Sequence, residues 1–80
     1  MNRQDILEQL VHIFRKELDN KKIVLTEATT ARDIDEWDSL SHIQLIVAIE
    51  KNFKVRFNAA EIQSWQNLGK MIDSLEGKLS

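Results

Sequence analysis

Eighty residues with no proline and only two glycines, Gly69 and Gly77, leave few places where the chain can turn sharply. A β sandwich or barrel needs frequent turn residues, so this shortage points to helices joined by a small number of connections. At this size only about 60% of the unfolded surface is buried on folding, enough for one modest core and not for a deep catalytic cleft. Residues 1–80 are therefore expected to form one domain. The chain has no cysteine, which excludes disulfides, thiolate catalysis and zinc–cysteine sites.

Hydrophobic spacing divides the chain. Ile6, Leu7, Leu10, Val11, Phe14 and Leu18 predict a helix over 4–18, with Asp5 and Glu8 near its start and Arg15 and Lys16 near its end, as the helix dipole favours. Residues 19–37 lack a clear period. They are expected to form a long loop pinned by Leu25, Ala28 and Ile34, with a helical turn near 33–36, and loops of that length are often functional. A second helix is expected over 39–53, capped by Asp38 or Ser39. The run Ser41-His42-Ile43-Gln44 also fits a capping box that would start it two residues later. A short helix over 59–65, with Asn58 as cap and Ile62 and Trp65 as anchors, leads to a last one over 67–79 carrying Leu68, Met71, Ile72, Leu75 and Leu79. The predicted fold class is all-α: a small four-helix bundle of three main helices and one short one, with a long first loop.

The second helix has two apolar stripes. Leu45, Ile46, Ile49 and Phe53 share a face and suffice to dock it. Leu40, Ile43 and Val47 recur on another face and form either a docking strip or part of a helix buried all round. Charge is uneven: residues 23–40 carry one base and five acids, and residues 41–58 carry three bases and one acid. The acids Asp33, Asp35, Glu36 and Asp38 crowd the approach to Ser39. Their field repels nucleic acid and attracts a basic partner.

Three roles compete for Ser39. It can be a plain helix cap. It can be a nucleophile with His42, although nothing in the chain supplies an oxyanion hole. It can be a modification site, its phosphodiester lying against free N–H groups at a helix N-terminus. His12 is expected on the surface and His42 beside the apolar strip, and no ligand spacing points to a metal. There is no signal-peptide core and no run long enough to span a membrane, so the expected location is the cytoplasm.

The run Glu36-Trp37-Asp38-Ser39-Leu40-Ser41-His42-Ile43-Gln44-Leu45-Ile46-Val47-Ala48-Ile49-Glu50-Lys51-Asn52-Phe53 resembles the Asp-Ser-Leu helix of acyl carrier proteins. The resemblance continues through Val55-Arg56-Phe57 and covers almost the whole chain. It implies a non-enzymatic monomer whose Ser39 receives 4′-phosphopantetheine from coenzyme A through a phosphopantetheinyl transferase. Acyl or aminoacyl groups would then ride on the arm as thioesters between acyl-loading and acyl-transfer enzymes. It implies that Asp38 serves transferase recognition and that Leu40, Ile43, Val47, Glu50 and Glu61 meet partners. It also implies that Leu45, Ile46, Ile49 and Phe53 are core positions able to shelter an acyl chain. Against the family pattern, Ser41, Gln44, Lys51 and Arg56 stand where acids are common, Asn58 where proline is common, and Trp37 where a small residue is usual. These departures point to a specialised biosynthetic carrier rather than one of bulk fatty-acid synthesis. A discrete peptidyl or aminoacyl carrier is the near alternative, and a helical interaction module without prosthetic group the alternative of another class. Trp37 and Trp65 are assigned to ordinary packing, with an acyl pocket as their other role.

Overall fold

The computed structural model describes residues 1–79. Four helices form in chain order: α1 Arg3–Glu17, α2 Ser39–Phe53, α3 Ala59–Ser64 and α4 Leu68–Leu79, with one 3-10 turn at Ala31–Asp33 before α2. No strand occurs among the described residues. The all-α bundle with a long first loop is as expected, with boundaries within a residue or so of those the apolar spacing predicts. The helical turn in the loop lies slightly earlier than expected.

Each helix start has a visible cause. The Asn2 side chain accepts from the Asp5 N–H at 2.8 Å and caps α1. Asn58 and Glu61 form a reciprocal capping box on α3. The first N–H groups of α4 are satisfied from the loop: Leu68 donates to the Thr29 carbonyl and Gly69 to that of Glu27, both at 2.8 Å. A β-carbon at Gly69 would meet that Glu27 oxygen at 3.0 Å, so the close approach favours glycine. Lys54 ends α2 in the left-handed region, at φ 57°.

Helix α1 packs against α2 and α4, and α3 packs against α4. Ile6, Leu10, Phe14, Leu45, Ile49, Leu68, Met71, Ile72 and Leu75 are essentially sealed from solvent. Arg3 ties three elements together through Glu27 of the loop and Asp73 and Glu76 of α4.

Several side chains differ from expectation. Ala28 is exposed, and the loop is pinned instead by Ile23, Leu25, Thr29, Ile34 and Trp37. The Arg15 guanidinium holds the Ile23 carbonyl at 2.8 Å, which draws this part of the loop against α1. Ile13 joins the core, since α1 faces both α2 and α4 and buries a wider arc than one stripe. Ile46 is not core. It is half-buried at the edge of the buried face, about 60° round the helix from Ile49 by the usual residue spacing.

Candidate functional site

The start of α2 is built by two residues flanking Ser39 rather than by Ser39 itself. Asp38 is the N-cap: its Oδ1 accepts from the N–H of Leu40 at 3.0 Å and of Ser41 at 2.9 Å. Ser41 closes the box. Its Oγ accepts from the Asp38 N–H and donates to the Glu36 carbonyl, each at 2.8 Å. The helix therefore starts at Ser39 and not two residues later. The same N–H donors hold the Asp38 carboxyl below its ordinary range.

Ser39 is left with nothing to hold. It is exposed at the first helical position, and its hydroxyl makes no hydrogen bond among the described residues. Of the two serines, Ser41 is buried and committed to the fold while Ser39 is accessible. A phosphodiester on Ser39 displaces no side chain, so the residues fit a flexible phosphate-linked arm. One expectation is corrected. The N–H groups of Leu40 and Ser41 already belong to Asp38, so a phosphate would feel the helix dipole without being cradled by those donors.

Beside Ser39 lies a cavity of about 440 Å³, bounded by Trp37, His42, Ile62, Trp65 and Met71, with Thr30 from the loop on its rim. Both indole N–H groups are taken by fixed partners: Trp37 donates to His42 Nδ1 and Trp65 to Ser74 Oγ, each at 3.0 Å. Each ring is also held edge-on by a phenylalanine, Trp37 by Phe14 and Trp65 by Phe57, at centroid separations of 4.9 Å. The two tryptophans thus wall a cavity as well as pack. None of Leu45, Ile46, Ile49 and Phe53 lines it. Leu45, Ile49 and Phe53 are filled core, and the cavity lies instead between the loop, the start of α2 and the α3–α4 corner.

His42 stands on the cavity side of α2, turned to Trp37 and away from the apolar strip. The Trp37 N–H on Nδ1 requires that nitrogen to be unprotonated, so the ring is neutral with its proton on Nε2. Burial pushes its pKa below the ordinary value. The fold therefore prefers the neutral ring. That contribution is complete above the ordinary histidine range, near 6.5, and is lost as pH falls through the lower folded value. Urea melts are expected to show wild-type stability declining relative to His42→Gln as pH drops from 7 toward 5, since a glutamine oxygen still accepts from Trp37. Parallel curves for the two proteins would contradict this.

The second stripe of α2 is outward. Leu40 is 79% exposed, Ile43 62% and Val47 44%, roughly opposite the buried face of Leu45, Ile49 and Phe53. The helix is not buried all round. Glu50 and Glu61 are both bound internally: Glu50 Oε2 accepts from the Phe57 N–H at 2.8 Å, and Glu61 Oε1 accepts from the Asn58 N–H at the start of α3 while its carboxylate pairs with Lys78. Glu50 in this way fixes the exit from α2, a role that its i+7 distance from Phe57 hides in the sequence. Among the described residues no group of three or more histidines, cysteines or carboxylates is placed to hold a metal. No helix is long and apolar enough to cross a membrane.

Residues 8–75 match the family model described as a phosphopantetheine attachment site. The acyl carrier protein of Thermosynechococcus vestitus is 32% identical over 82 residues, covering 100% of this chain and 99% of that protein. A solution structure of holo acyl carrier protein from Geobacter metallireducens aligns with a TM-score of 0.86 at 46% identity, over 91% of this chain and 84% of that one.

Proposed function

This chain belongs to the acyl carrier protein family, and from that premise we propose that Ser39 is the residue that carries the arm. The family makes it a carrier and not an enzyme, with 4′-phosphopantetheine as its prosthetic group. That group supplies a terminal thiol, which this cysteine-free chain lacks. The observation that carries the assignment to Ser39 is the contrast at the α2 N-terminus: one serine consumed by the cap, the other exposed and unbonded.

The chain's own residues have distinct tasks. Asp38 holds the first turn of α2 in register, so the Ser39 hydroxyl is presented on a rigid element to a phosphopantetheinyl transferase. On loading, that hydroxyl gives up its proton and its oxygen attacks the pantetheine-bearing phosphorus of coenzyme A, forming the phosphodiester as the pyrophosphate P–O bond breaks and 3′,5′-ADP leaves. Leu40, Ile43 and Val47 offer partners an apolar strip beginning beside the arm. The cavity walled by Trp37 and Trp65 shelters the first carbons of an acyl cargo: the two indoles with Ile62 and Met71 give a hydrocarbon an apolar wall, beside the polar Asp38, Gln66 and Asn67 of the same lining. The whole chain acts as one carrier domain, a cytosolic monomer. The scarcity of carboxylates on the outward face of α2 supports service to a dedicated acyl pathway rather than bulk fatty-acid synthesis.

Incubation with coenzyme A and a broad-specificity transferase is expected to add the mass of one pantetheinyl arm. Fragmentation should place that mass on the segment holding Ser39. A protein that stays bare while a known carrier in the same tube is loaded would overturn the assignment.

A further inference from the structure

An open groove of about 750 Å³ runs between α1 and α2 on the side away from the tryptophan cavity. Its floor is Ile13 and Ala48, its outer edge is Ile43 and Val47, and Lys16 and Lys51 stand over it from opposite helices. The groove exists because of Ala48. The row Gln44, Ala48 and Asn52 faces α1, and a methyl at its centre leaves a gap where a larger side chain would fill the space. At one end Asn52 donates to Gln9 across the helices at 2.6 Å and bridges them at the surface.

The charge on this groove is positive. Lys16 and Lys51 have no ion pair among the described residues. His12 adds a further nitrogen base, and Glu17 is the one carboxylate on the lining. The sole acid within α2, Glu50, is bonded to the Phe57 N–H. The acids near Ser39 lie at the other end of α2, about 18 Å from Lys51 at 1.5 Å per residue.

We propose that this groove receives an amphipathic helix of a partner enzyme whose apolar ridge is flanked by carboxylates. Ile43, Val47 and Ala48 take the ridge, and Lys16 and Lys51 take the flanking acids. This deepens the partner reading above and rests on it. The polarity along α2, acidic at the arm and basic at the far end, also fixes which way round such a partner sits. It keeps the partner's catalytic entrance over Ser39 rather than over Lys54.

Two matched amphipathic peptides test this, identical in their leucine ridge and flanked by Glu in one and Lys in the other, titrated into the isotope-labelled full-length holo protein. The Glu-flanked peptide is expected to shift the amide signals of Lys16, Val47, Ala48 and Lys51. It should bind roughly tenfold tighter than the Lys-flanked one, about the reach of two rim ion pairs. The double variant K16E/K51E should reverse that preference, and Ala48→Leu should weaken both peptides by filling the groove. Equal binding, a preference for the Lys peptide, no binding, or shifts confined to the Trp65 side would overturn the proposal. Broadening of the same signals by phosphatidylserine vesicles but not by the Glu peptide would also overturn it, because the surface would then face a membrane. Intact mass of the same samples separates the two claims. Unloaded protein that still selects the Glu peptide sinks only the Ser39 assignment, and loaded protein that ignores the peptide sinks only the groove.

Discussion

Ser39→Ala is expected to take up no pantetheinyl arm at all and to melt like the wild type. The acceptor oxygen is gone, so the loss is complete rather than graded. Stability survives because Asp38, not Ser39, caps α2, and alanine is a better helix former at the first helical position. The change should stay within about 0.5 kcal/mol. Ser41→Ala should behave in the opposite sense. It removes a buried hydroxyl that accepts from Asp38 and donates to the Glu36 carbonyl, leaving both backbone groups short of a partner. The expected cost is about 1–3 kcal/mol, with loading retained in the folded fraction. Intact mass and urea melts on the two variants read both quantities. Loading of Ser39→Ala, or its loss in folded Ser41→Ala, would move the attachment site. A plain interaction module, by contrast, would leave partner-dependent activity unchanged in Ser39→Ala.

What the sequence reveals about this molecule depends on how local the cause is. The span of α2 and the separation of Leu40, Ile43 and Val47 from the Leu45 face follow from helical period, whereas the exact start and the exposure of that second stripe are decided by the cap and by how the bundle packs. Ile46 is only half-buried because a position at the edge of the buried arc is decided by its neighbours, not by its own phase. The ownership of the first N–H groups of α2 was open because Asp38, Ser39 and Ser41 are all competent acceptors. Only the bond from Ser41 Oγ to the Glu36 carbonyl settles which serine is consumed. The cavity was invisible for a different reason. Its walls come from the loop, α2, α3 and α4, and no periodicity links Thr30, Trp37, Trp65 and Met71. Glu50 and Glu61 look like free surface acids in sequence. Each is instead held by a backbone N–H, Glu50 by Phe57 and Glu61 by Asn58.

Leu45→Ala and Val47→Glu separate what α2 does for the fold from what it does for transfer. The two positions point about 160° apart on the helix. Leu45 is fully buried and Val47 is 44% exposed. Truncating Leu45 removes core contacts and leaves a cavity, at an expected cost of about 2–5 kcal/mol. A chain of this length holds about 4–12 kcal/mol in total, so the loss shows as a large fall in the urea midpoint or as partial unfolding at 25 °C. Val47→Glu should shift the midpoint little, within about 0.5 kcal/mol, because its side chain already meets water. Yet a charge placed in the apolar strip must be desolvated whenever a partner covers it, and the expected fall in transferase kcat/KM is roughly tenfold or more. Urea melts and initial loading rates on the two variants give both numbers. If Val47→Glu unfolds the protein, the outward face is core and the strip no docking surface. If it leaves both stability and loading rate untouched, the transferase reaches Ser39 by contacts that lie elsewhere, and the strip serves only later partners in the transfer sequence.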